Sequence, residues 1–185
     1  MKEKTHLGNR LLSVLLTFLM LLSLLPSAAL AADTQQIALM AVTQDGFLIK
    51  PEYVTYHSGD TVKDVLKKSG HTFSGIDNGY ITAVDGTTDN FSIHYDEDGY
   101  KLDQSADGLT AIWFTTNSDQ SHGANLQKLA ANMAVYNTAT NGLKDYKAAQ
   151  EAYDAAVKGF YAATDTKAKT LNDALFSAID KHAKF

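Results

Sequence analysis

Hydrophobic and polar positions change their period once along the chain. From Ile37 to about Ser118, short runs of β-branched and aromatic residues are separated by Asp45-Gly46, Ser58-Gly59, Asn78-Gly79, Asp85-Gly86, Asp98-Gly99 and Asp107-Gly108. Such pairs supply the positive-φ position that tight turns need, so this half reads as short strands. From Ala124 to Phe185, Ala, Lys, Asp and Leu dominate, and no strand-like run occurs. The change falls near NSDQSHG, residues 117–123.

In the first half, IALMAV and FLIKP predict two strands, or one bent strand, around Gln44-Asp45-Gly46. Glu52 to His57 is a third extended run, with Val54 and Tyr56 on one face and Tyr53, Thr55 and His57 on the other. HSGDTVKDVLKKSG, residues 57–70, follows. Gly59 turns off the strand, Asp60 or Thr61 caps a helix, and Val62, Val65 and Leu66 share one face at i, i+3 and i+4. A phosphate loop would need Gly-Lys-Ser/Thr, whereas Gly59 is followed by the acid Asp60. The segment therefore predicts a short amphipathic helix docked on a sheet, ended by Gly70. YITAVDG, FSIHY, YKL and LTAIWFTT complete the strand half. In the last of these Leu109, Ala111 and Trp113 alternate with Ile112 and Phe114, so both faces are apolar, which suits a central strand covered on both sides.

The second half carries three apolar stripes at helical spacing: Leu126, Leu129, Met133 and Tyr136; then Tyr146, Ala149, Tyr153, Ala156, Val157 and Phe160; then Ala168, Leu171, Leu175, Ala178 and Ile179. Breaks fall at Asn141-Gly142 and Thr164-Asp165-Thr166. Three helices of about 15–20 residues with short connections predict a small antiparallel bundle.

The N-terminus alters where fold reasoning begins. Lys2, Lys4 and Arg10 precede the apolar run LLSVLLTFLMLLSLL, Pro26 and SAALAA, which is the order of a secretory signal peptide cleaved after Ala31. Residues 1–31 carry three bases and one acid, so the 16 basic and 21 acidic residues of the whole chain become 13 and 20, a net charge of −7. An acidic exported chain without a basic block is a poor match for nucleic acid or anionic lipid. There is no cysteine, which excludes disulfides, thiolate catalysis and Cys-ligated zinc. These features predict a secreted or surface protein of a Gram-positive bacterial exterior, with no membrane span after signal cleavage.

The run PEYVTYHSGDTVKDVL followed by GYITAVDG resembles the transcobalamin C-terminal-like β-grasp domain, a module of bacterial exported proteins often classed as a domain of unknown function. Pro51, Val54, Gly59, Asp60, Thr61, Val62, Val65, Leu66, Tyr80, Ile81 and Gly86 carry the resemblance, over roughly residues 37–118. It implies a sheet wrapped around one helix and, by the family's name, capture of cobalamin or another cofactor by a soluble protein. The helical half, YKAAQEAYDAAVKGFYAATDTKAKTLNDALFSAI, resembles FIVAR-type surface repeats more loosely.

Reactive constellations are sparse. His57, His71, His94, His122 and His182 form no HxH, HxxxH or HExxH pattern and read as scattered surface residues. Asp96-Glu97-Asp98-Gly99 suggests calcium, but a bidentate Glu is missing where Ser105 stands, and a turn explains Asp98-Gly99. Phe73-Ser74-Gly75 is not a nucleophile elbow. Among the aromatics, Tyr56, Tyr95 and Trp113 are expected in the core, while Tyr53, His57 and Tyr100 are candidates for a ligand or partner surface.

The expectation is an α+β protein with a signal peptide at 1–31, a β-grasp-like domain at 32–120 and a three-helix antiparallel bundle at 121–185. It is expected to act as a non-enzymatic module that binds a small ligand or an extracellular protein, without cofactor or metal. Capture of a corrinoid or other cofactor is the alternative.

Overall fold

Strand β1, Thr34–Thr43, and strand β2, Gly46–His57, form an antiparallel hairpin across Gln44 and Asp45. In this computed structural model residues 34–95 and 101–184 are described. The expected signal peptide, the Asp98-Gly99 turn and Tyr100 lie outside the described residues. Helix α1, Val62–Lys68, follows, then the two-residue strands β3, Phe73–Ser74, β4, Ala83–Val84, and β5, Thr87–Thr88. Strands β6, Ser92–His94, and β7, Ala111–Thr115, close the strand half. Helices α2, Ala124–Thr138, α3, Lys147–Phe160, and α4, Asp165–His182, complete a mixed α+β chain with two sheets and four helices among the described residues.

The main sheet has the order β2-β1-β7-β6, with β7 parallel to β1 and the other pairs antiparallel. FLIKP and the run from Glu52 are one strand rather than two. Pro51 lacks the N–H a ladder requires, and the register steps from Leu39↔Glu52 to Ala41↔Ile49, leaving Lys50 and Pro51 at a bulge. Because β2 is the outer strand, the missing donor costs no second ladder. YITAVDG contributes only β4, and its Asp85-Gly86 pair, with φ of 46° and 80°, forms the two-residue turn into β5. Lys101 and Leu102, expected in a strand, are loop.

Alternation along β1 and β7 builds two cores. Ile37, Leu39, Ala41, Ile112 and Phe114 join Val54, Tyr56, Val62, Val65 and Leu66 beneath α1. Ala38, Met40, Val42, Ala111 and Trp113 face the other way, into Leu126, Leu129, Met133, Phe160 and Leu175 of the long helices. All five residues of β7 are buried, as expected for a central strand with both faces covered. The division near residue 120 marks where strands give way to helices. It does not separate two cores, since α2 packs directly on β1, β2 and β7 and Thr34–Phe185 form one compact unit. The reason is burial: a sheet face bearing Met40 and Trp113 needs an apolar cover.

The opening of α1 is specified locally. The Thr61 hydroxyl accepts from the Asp64 N–H, and the Asp64 carboxylate accepts from the Thr61 N–H at 3.0 Å, a reciprocal capping box. Hydrogen bonding from Thr61 holds the Asp64 carboxyl below its ordinary range. Thr61→Ala is expected to cost about 1 kcal/mol of unfolding free energy, read by urea denaturation, with Thr61→Ser losing less than half of that.

Candidate functional site

An open groove lies on the flank of α1 away from its buried stripe. It measures about 280 Å³ and is lined by Lys63, Ile76, Asp77, Gly79, Lys101, Leu102 and Asp103. Lys63 and Lys67 stand one turn apart on α1, and both reach the same oxygen of Asp77, at 3.0 and 2.7 Å. Lys67, and after it Lys63, pulls the Asp77 carboxyl down to about 2, so it is ionised across the working range of most proteins.

Each wall is fixed by backbone. Asp77 sits in a 3-10 turn, Ile76–Asn78, bracketed by Gly75 and Gly79, both left-handed at φ of 84° and 85°. The opposite wall is pinned to the start of α1, where the Val62 N–H donates to the Gln104 carbonyl at 2.9 Å and the Lys63 N–H to the Leu102 carbonyl at 2.7 Å. Tyr95, fully buried, holds the same wall. Its hydroxyl donates to the Lys101 carbonyl at 2.8 Å and accepts from the Lys101 N–H at 2.6 Å. Ile76 and Leu102 supply an apolar floor between ammonium and carboxylate rims.

Of the residues expected to line a surface, Tyr53 and His57 lie apart. Tyr53 is half-buried beneath α2, its hydroxyl donating to the Ala131 carbonyl at 3.2 Å, and burial pushes the phenol up to about 12. His57 is exposed at the end of β2, close to Asp60 and Lys68. With about 3.3 Å of rise per residue, Tyr53 and His57 stand roughly 13 Å apart along the strand. Tyr100 lies outside the described residues. Asp60, considered above as a cap, instead pairs with Lys68 and accepts from the His57 N–H at 2.7 Å, which holds its carboxyl low.

Two histidines depart from the scattered-surface expectation. His71 lies between Asp85, 2.7 Å from Nδ1, and Glu52, 3.1 Å from Nε2, which ties the β4–β5 turn to β2. Asp85 also accepts from the Thr72 N–H at 2.8 Å, and although its burial raises the carboxyl, that bond and His71 bring it below its ordinary value. His94, only 5% exposed, stacks on Trp113 and His122 with ring centroids 5.4 Å from each. Its signal in the sequence was its place in FSIHY, where alternation with Ile93 turns it toward Trp113. Among the described residues, no group of three or more His, Asp or Glu side chains is placed to hold a metal ion, and no helix is long and apolar enough to cross a membrane. No family model matches the chain, and no curated protein matches it.

Proposed function

We propose that this protein is an exported, non-enzymatic binding module whose ligand, a small polar molecule or the polar tip of a protein partner, enters the Lys63–Asp77–Lys101–Asp103 groove. The observation that carries the reading is the groove's construction: opposed charges over an apolar floor, with one wall tied to α1 by backbone hydrogen bonds and the other by the Asp77 ion pairs to Lys63 and Lys67. Pre-organisation of that kind lowers the ordering cost of binding. Both faces of the main sheet are occupied, one by α1 and one by the long helices, which directs attention to this rim.

The β-grasp reading of the strand half belongs to the same proposal. A first hairpin, a helix against one sheet face and a last strand parallel to the first in the order β2-β1-β7-β6 all support it. Helices α2 to α4 serve as a bundle that covers the second face, with α4 packed against both α2 and α3.

Thermal-shift screening of the secreted chain against sugars, amino acids, short peptides and corrinoids tests the proposal. A ligand at 100 times its Kd stabilises by about 2.7 kcal/mol, which such a screen resolves. Lys63→Glu with Lys101→Glu is expected to weaken a groove ligand at least ~10-fold, measured by calorimetry. Unchanged affinity in that variant, or chemical conversion of the ligand, would overturn the reading. A corrinoid hit, visible by its absorption band, would turn it to cofactor capture.

A further inference from the structure

His94 occupies an unusual place for an imidazole. It is the last residue of edge strand β6, paired in register with Trp113 of the central strand, and neither ring nitrogen has a hydrogen-bond partner among the described residues. One ring face meets Trp113 at an interplanar angle of 28°, and His122 stacks on it at 16°. His122 belongs to the connector from β7 to α2. The same connector is anchored by Gln120, which accepts from the indole N–H of Trp113 at 3.1 Å and donates to the Phe160 carbonyl, and by Asn117, which donates to the Tyr161 carbonyl at 2.8 Å. The stack therefore joins the sheet edge, the central strand and the entry to the helices.

We propose that the His94–His122 stack on Trp113 is an acid-sensitive latch: neutral, it holds β6 and connector 116–123 against the central strand, and charged, it lets both go.

Among the described residues a proton on His94 has no acceptor to satisfy it, and both nitrogens are buried from solvent. Among the described residues, the rings stacked on it are Trp113, which carries no charge, and His122, which acts against its protonation. Burial, and secondarily His122, lowers the imidazole from its ordinary 6.5 to about 4. Since the folded value lies below the unfolded one, the contribution of the stack is fully present above about 6.5. It is lost as pH falls from there toward 4. The latch is independent of the ligand groove, which lies beneath the other sheet face on the flank of α1.

Trp113 is the single tryptophan of the chain, so its emission reports the stack directly. Between pH 8 and 3.5, Trp113 fluorescence is expected to change with a midpoint near 4–5 while far-UV circular dichroism holds. Hydrogen exchange in residues 91–95 and 116–123, corrected for intrinsic rates, is expected to accelerate ~10-fold more than in β1. His94→Phe, which keeps a stacked ring, should abolish the transition, and His122→Gln should move its midpoint upward. A transition retained in His94→Phe, or one in which fluorescence and circular dichroism move together, overturns the latch. If that variant fails to fold, NMR titration of His94 in the native chain decides: a midpoint near 4 supports the latch, and one near 6.5 overturns it.

Discussion

Trp113→Ala is expected to remove about 3–5 kcal/mol of unfolding free energy. The indole is fully buried at the centre of β7, edge-on to Phe160 at 6.0 Å and stacked on His94. It sits where the sheet meets the long helices, so the void left behind is bordered by a strand on one side and helices on the other. Neither can close in without breaking a ladder or a helix contact. The substitution also strands Gln120, 5% exposed, whose side-chain carbonyl accepts from the indole N–H. An orphaned buried acceptor adds about 1–3 kcal/mol in its own right. At the low end of the ~5–15 kcal/mol that domains have, such a loss leaves the chain barely folded. Urea denaturation followed by circular dichroism measures this, and Trp113→Phe, which keeps a ring but not the donor, separates the two contributions. A loss below about 2 kcal/mol for the alanine variant would show that the strand and helix halves do not share this core.

How much of this was readable in the sequence follows from the range of the signals. LTAIWFTT announced a strand covered on both faces because alternation writes each face separately, and the five residues of β7 are all buried. HSGDTVKDVLKKSG announced α1 because its cap, its stripe and its terminating Gly70 lie within 14 residues of one another. The three helical stripes were equally local, and their elements formed where the spacing put them. What lay beyond reach was non-local. The composition change at residues 117–123 marks where strands give way to helices but carries no sign of α2 against the Tyr53 face of β2, 78 positions away in the Tyr53–Ala131 hydrogen bond. The groove was invisible for the same reason. Lys63, Asp77 and Lys101 are ordinary surface charges in one dimension, and only the turn at Gly75 and the pinning of residues 101–104 to α1 bring them together. His94 lay between these cases: its strand was legible, but the partner faces were not.

Gly75→Ala is expected to destabilise by about 2–3 kcal/mol and to weaken any groove ligand as well, whereas Gly79→Ala should cost only about 1–2 kcal/mol. The two glycines bracket the same 3-10 turn with nearly the same φ, so the intrinsic cost of a left-handed alanine is shared. Their surroundings differ. A Cβ on Gly79 meets nothing within 4 Å, while one on Gly75 comes within 2.6 Å of the Tyr80 carbonyl oxygen and 3.3 Å of the Thr82 hydroxyl. The carbonyl is backbone and cannot swing aside. It belongs to the return of the chain toward β4, where the Thr82 N–H donates to the Ser74 carbonyl at 2.9 Å. Relief must therefore come from displacing the turn, and the turn carries Asp77. Movement of Asp77 away from Lys63 and Lys67 breaks the paired charges on that rim of the groove, so affinity falls together with stability in Gly75→Ala alone. Chemical denaturation of the two variants beside the native chain gives the strain difference, and calorimetry with a groove ligand gives the rest. Equal losses in the two variants would mean that the Tyr80 carbonyl does not approach Gly75. A Gly75→Ala chain that loses stability but binds normally would show that the position of Asp77 does not govern the groove.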